Sequence, residues 1–197
     1  ARQSGKPTVV MLDNEYMKNF TANALAWKKK SLLSFNRYNL KEMHLERIGS
    51  GGPLVLKFDR LDDSWTASKD GKDETLNINP NRANRYLDEL EKMEVSAWLP
   101  YTDATAHEAL KNPVFRLKLI LQSYKEAAPV QSQSGSSDIT FAPEPETEDK
   151  VITLEIAPAG EAGYSRFYYG RVNTTPNYFI LNMDAVRLLG ASLSEDN

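Results

Sequence analysis

From Lys41 to Ser68 apolar side chains fall at alternate positions between turn sequences, the pattern a half-buried strand requires. Met43 and Leu45 alternate with Glu42, His44 and Glu46. After the turn Gly49-Ser50-Gly51-Gly52-Pro53, Leu54, Leu56 and Phe58 alternate with Val55 and Lys57. Asp62-Asp63 leads into a third strand, Ser64 to Ser68, and Asp70-Gly71-Lys72-Asp73 forms another turn. Leu76 and Ile78 predict one more short strand. The run reads as an antiparallel meander.

A helix is predicted to follow. Asn79 suits the N-cap, where its side chain accepts a backbone N–H. Pro80 suits the first helical position, where no donor is needed. Ala83, Tyr86, Leu87, Leu90 and Met93 make one apolar stripe, to be buried on the preceding sheet. Val95 to Trp98 leads into a polar stretch. Thr105 and Glu108 have the spacing of a capping box for a short helical turn, ended by Asn112-Pro113. Val114 to Gln122 reads as a strand with Phe115, Leu117, Leu119 and Leu121 on one face.

Composition changes at residues 127–150. Gln131 to Ser137 is low-complexity and Glu144 to Asp149 is acidic with prolines, which predicts a flexible acidic loop. Order returns over 151–197. Val151, Thr153, Glu155 and Ala157 alternate with Ile152, Leu154 and Ile156. Tyr164 to Val172 reads as an aromatic strand and Tyr178 to Leu181 as another; Asp184 to Leu189 reads as a short helix ended by Gly190. At the other end, Tyr16, Phe20, Ala24 and Trp27 have roughly helical spacing within an N-terminal segment, 1–26. Strands followed by a helix thus occur twice, over about 41–93 and 114–190. The expected fold is α+β: two meander-plus-helix halves, 27–126 and 151–197, related as a pseudo-repeat and packed helix against sheet.

The charge balance bounds function. Lys and Arg number 24 against 27 Asp and Glu, a net charge of −3. That argues against a general nucleic-acid binder, which presents a basic face to several phosphates. Lys28-Lys29-Lys30 is the only dense basic run, too short for that role and short of the four to eight basic residues of a membrane-surface motif. With no cysteine, thiolate catalysis, disulfides and zinc–thiolate sites are excluded. No run of 18 apolar residues occurs, so attachment to a membrane is expected only through a segment outside this chain.

Reactive side chains do not fall into catalytic spacing. His107-Glu108 continues Ala109-Leu110-Lys111, without the second histidine of a metalloprotease helix. His44, the other histidine, stands in a strand. There is no Gly-x-Ser-x-Gly elbow. Gly49 to Gly52 joins two strands and lacks the lysine and helix of a phosphate loop. Asp62-Asp63 sits in a turn and Glu144 to Asp149 lacks the spacing of a calcium loop. No catalytic residue, cofactor or metal is therefore expected. The best binding surface is the aromatic strand, with Arg166, Tyr168, Tyr169 and Arg171 as expected partner-binding residues beside Tyr164 and Phe167, types favoured at interfaces.

In combination these segments resemble the uncharacterised bacterial family known as domain of unknown function 4340. Lys30-Ser31-Leu32-Leu33-Ser34-Phe35 and Asn39 to Met43 are similar to its opening segment. Ser64-Trp65-Thr66 is similar to its tryptophan strand, and Asn81 to Met93 stands where it has a helix. Glu108 to Pro113 resembles its joint, with Ala109 in place of the usual glycine. Tyr169-Gly170-Arg171-Val172 and Tyr178 to Leu181 are similar to its closing strands. The likeness spans about 27–190, with 127–150 as a departure. It implies an extracytoplasmic or periplasmic protein, often membrane-anchored and encoded beside gliding-motility-type ABC transporters, with no established catalytic residues. The expected function is a non-enzymatic cell-envelope accessory domain that binds a protein partner, an ABC transporter complex being the partner the likeness suggests. An envelope hydrolase acting on glycans or peptides, and a small-ligand sensor, are the alternatives.

Overall fold

The nine strands among the described residues join one antiparallel sheet. The computed structural model describes residues 24–124, 147–160 and 167–193. Within them run β1 (Leu40–Arg47), β2 (Leu54–Asp59), β3 (Ser64–Lys69), β4 (Lys72–Asp73), β5 (Ala97–Leu99), β6 (Phe115–Tyr124), β7 (Thr147–Pro158), β8 (Phe167–Val172) and β9 (Tyr178–Asn182). Three helices accompany them: α1 (Pro80–Glu91), α2 (Ala104–Ala109) and α3 (Met183–Leu189). The strand order is β4-β3-β2-β1-β6-β7-β8-β9-β5.

This overturns the α+β reading with two halves. β1 and β6 pair antiparallel from Glu42↔Ile120 to Arg47↔Phe115, so the two meanders fuse edge to edge. Backbone hydrogen bonds at that seam satisfy two edges that separate halves would each have to protect. The result is a β-dominated fold in which short helices cover the sheet rather than two balanced α+β units.

The core lies on one face. Met43, Leu56, Leu117, Leu119, Ile152, Leu154, Ile156, Phe179 and Leu181 are fully or almost fully buried there. The register shifts between Leu40 and Glu42, and this bulge lets Leu40 and Met43, three positions apart, both reach the core. α1 and α3 cover this face. Trp65 Nε1 donates to Asn84 Oδ1 of α1 at 3.0 Å, and the buried Tyr86 hydroxyl donates to the Leu189 carbonyl of α3. α2 lies on the opposite face, where Ala106 and Leu110 meet Ala157 and Tyr178 in a smaller cluster.

Most local expectations hold: β1 to β3, β6 to β9, α1 and α3 stand where the alternation and the apolar stripe put them. At the β3–β4 turn, Asp70 (φ 51°) and Gly71 (φ 76°) supply the two left-handed positions a two-residue hairpin needs. Four expectations change. Leu76 and Ile78 do not form a strand. Thr75–Asn77 is a 3-10 turn, because Asp73 accepts the Thr75 N–H and Thr75 Oγ1 accepts the Ala67 N–H; Leu76 is 94 % exposed. α2 is capped by Asp103, which accepts the Ala106 N–H at 2.8 Å, and not by Thr105. The polar stretch after Val95 contains β5, whose pairing with β9 buries Trp98. The expected 127–150 loop ends early. Thr147 to Lys150 extend β7 and pair with Tyr124 to Leu121, since any residue with free backbone groups can lengthen a ladder already in register. The rest of that loop, 127–146, and the N-terminal helical spacing before Ala24 lie outside the described residues; Ala24–Trp27 is a 3-10 turn.

The Asn79 side chain accepts the Arg82 N–H at 3.2 Å, as an N-cap should. Asn79→Ala is expected to cost about 1 kcal/mol and to lower Tm by about 2–4 °C in a chain of this size. A thermal melt followed by circular dichroism checks it.

Candidate interaction surface

The face opposite the core carries ordered charge. In a strand successive side chains point to opposite sides. The residues between the core positions therefore line up across neighbouring strands in one row: Glu46↔Arg116, Arg116↔Glu155, Glu155↔Arg171. These pairs form ion pairs. Arg116 reaches Glu46 at 2.9 Å and Glu155 Oε1 at 2.8 Å, while Arg171 donates to Glu155 Oε2 through Nε and Nη2. Glu155 is buried, with 9 % exposure, the only charged residue so enclosed among those described. Burial alone pushes its carboxyl upward, but the Arg171 and Arg116 guanidiniums outweigh that and hold it below the usual carboxylate value. Arg116 and Arg171 keep 39 % and 47 % of their side chains exposed, so part of each clamped side chain meets solvent; Arg116 engages Glu155 and Glu46 through all three of its nitrogens.

A second group lies nearby on the same face. Glu42 accepts a hydrogen bond from His44 Nε2 at 2.9 Å and has Lys57 at 3.4 Å. His44, then Lys57, hold its carboxyl below the ordinary value against the upward push of partial burial. On α2, His107 Nδ1 shares a 2.8 Å hydrogen bond with the Tyr178 hydroxyl. The two histidines thus bond to different partners. Among the described residues no group of three or more His, Cys, Asp or Glu side chains gathers as metal ligands do.

The aromatic strand is divided by its own alternation. Phe167, Tyr169 and Arg171 point to the open face; Tyr168 turns to the core face and packs against the main core. Tyr169 sits beside α2, Arg171 is clamped to Glu155, and Phe167 is 52 % exposed. Arg166 and Tyr164 lie outside the described residues. The row's other members, Glu46, Arg116 and Glu155, escape sequence reasoning. Their one local signal is a carboxylate inside the apolar run Val-Ile-Thr-Leu-Glu-Ile-Ala.

The remaining motifs settle into structural places. Lys28 Nζ stands 3.6 Å from the Trp98 ring centroid and donates to Thr175 Oγ1, and burial lowers its pKa. The basic run therefore loses one of its three lysines to an internal contact. Gly49 to Gly52 is the β1–β2 turn, fastened by the Gly52 N–H to Asp70 Oδ1 at 3.0 Å. Asp62 and Asp63 lie exposed in the β2–β3 turn. No helix among the described residues is long and apolar enough to cross a membrane.

Comparison with known families finds a match over residues 1–113 to a family described as a domain of unknown function, DUF4340. The match ends at Pro113, just ahead of β6. Searches of curated proteins and of solved structures find no match.

Proposed function

This chain belongs to the DUF4340 family, which matches more than half of it, and on that premise we propose that it is a non-enzymatic accessory domain binding a protein partner through the open sheet face. The observation that carries this reading is the row in which Arg116 and Arg171 are fixed on the buried Glu155 while much of each side chain meets solvent. A pre-positioned arginine loses little freedom on binding and offers planar donors to a partner's carboxylates and carbonyls. Phe167 and Val151, both exposed, flank the row on the same face and add apolar area.

The place of action is the cell envelope, outside the cytoplasm, and the partner a subunit of an ABC transporter complex. The family likeness supports this assignment, by analogy. Contact, rather than bond-making, is favoured by the distribution of reactive groups. The acidic side chains Glu42, Glu46 and Glu155 of this face are each paired with a basic side chain, and the two histidines are not brought together with a shared acid.

The test is affinity capture of the full-length protein from its native membranes, with captured chains identified by mass spectrometry. Transporter subunits are expected with the wild type. Phe167→Glu or Val151→Glu, at opposite ends of the face and outside the ion-pair row, should lower recovery about tenfold, a loss of roughly 1.4 kcal/mol. Capture of no transporter subunit, or equal recovery with both variants, would overturn the proposal.

A further inference from the structure

Among the described residues, the core face is left open at the end of the sheet where β1, β2 and β3 carry Leu45, Leu54 and Lys69. These three are cross-strand neighbours in one row. Between them and the residues that follow α3 lies a cavity of about 550 Å³. Ligand sites typically fall between roughly 300 and 1,000 Å³. Leu45, Leu54, Ile78, Phe115 and Leu189 contribute its apolar lining, continuous with the main core. Arg47 and Lys69 bring cationic groups to it.

Lys69 is the informative residue. It stands two positions beyond the buried Ala67, on the core-facing side of β3, and is itself half-buried. Among the described residues it makes no ion pair. The carboxylate that also lines the cavity, Glu74, accepts a hydrogen bond from Asn77 Nδ2 at 2.6 Å and forms no ion pair with Lys69. Arg47 donates to the Gly190 carbonyl, and that one bond leaves other guanidinium donors available. An apolar cleft with an unpaired lysine and a partly engaged arginine has the complementarity for an amphipathic anion. A carboxylate or phosphate would complete the cations while a tail displaced water from the leucines.

We infer that this cavity is a binding site for a small amphipathic anion, a single apolar tail ending in a carboxylate or a phosphate. The site is separate from the open face on which the partner is proposed to dock, and it stands or falls on its own. Its head group is held by Lys69 with help from Arg47, and its tail lies over Leu45, Leu54 and Phe115.

The probes are decanoate and decyl phosphate, each below its micellar concentration, and decanol, below its solubility limit, titrated into the 197-residue chain. Methyl NMR follows Leu45, Leu54, Ile78 and Leu189. Both anions should saturate and move these methyls, and the tighter of the two identifies the preferred head group. Decanol should bind about tenfold or more weakly for want of the charge. Octanoate, two methylenes shorter, should bind about tenfold more weakly than decanoate. Lys69→Met keeps an apolar stem and should bring decanoate down to the affinity of decanol. The inference is overturned if decanol equals decanoate on the wild type, a comparison that needs no variant. It is equally overturned if neither anion binds, if the shifts map elsewhere, or if a folded Lys69→Met chain keeps its preference for the anion.

Discussion

Gly170→Ala should destabilise the protein by about 3 kcal/mol, the upper part of the range for overpacking a core, and lower Tm by about 6–12 °C. On an open strand the same change would be mildly favourable, because glycine is a poor strand residue by roughly 0.5–1 kcal/mol. Packing reverses the sign. A Cβ at 170 would stand 2.1, 2.4 and 2.9 Å from three ring carbons of Phe179, its direct cross-strand neighbour. The ring has nowhere to go. Phe179 is fully buried and meets Trp98 edge to face, with centroids 5.8 Å apart. Trp98 is in turn tied to the Lys29 carbonyl through Nε1. Denaturant unfolding of Gly170→Ala, Phe179→Leu and the double variant measures the coupling. The double variant should be more stable than the sum of the single losses implies, since the smaller side chain relieves the clash. A Gly170→Ala chain within about 0.5 kcal/mol of wild type, the usual effect of a neutral surface change, would contradict this packing.

The second large effect concerns Glu155. Glu155→Gln keeps the shape and removes the charge that holds Arg116 and Arg171 together. Losing one partner of a fully buried pair costs about 3–5 kcal/mol. Because both arginines are more than a third exposed, solvent screens part of this, and about 2 kcal/mol is expected at pH 7. The pH dependence has a definite sign. A carboxyl held lower in the folded state than in the unfolded chain stabilises the fold above the unfolded value. That stability is lost as pH falls from the ordinary glutamate value near 4.5 through the lowered folded value. Wild type and Glu155→Gln should therefore differ most near neutrality and converge in acid. Unfolding free energies at several pH values between 7 and 3 check this. A gap that stays constant into acid would show that Glu155 does not contribute as a paired carboxylate.

The Glu155 result also bears on the proposed partner. If the row is what positions Arg116 and Arg171, Glu155→Gln should weaken capture as well as stability. Phe167→Glu, which touches no member of the row, should weaken capture alone.

Local order was legible where a residue's role depends on its immediate neighbours. The alternation in Leu54 to Phe58 and in Phe115 to Leu121 is a property of a few consecutive positions, and so is the Asn79-Pro80 start of α1. Where two local signals competed, the reading failed. Thr105 and Glu108 made a plausible capping box, but Asp103 two residues earlier accepts the N–H and starts the helix sooner. Leu76 had the hydrophobicity of a strand residue, but Thr75 was already bonded to β3 and turned the chain.

The sequence by itself therefore determined β1 to β3, β6 to β9, α1 and α3 and the apolar side of each of those strands, because these follow from backbone periodicity and the exclusion of apolar groups from water. Only the tertiary structure decided that the two meanders share one sheet, that Glu46, Arg116, Glu155 and Arg171 fall in one row, and that Lys69 overlooks an open end of the core. The first two rest on the register between strands distant in the chain, and the third on where the segment after α3 meets the β1–β3 meander. Register is set jointly by every side chain along both strands, so no single motif records it.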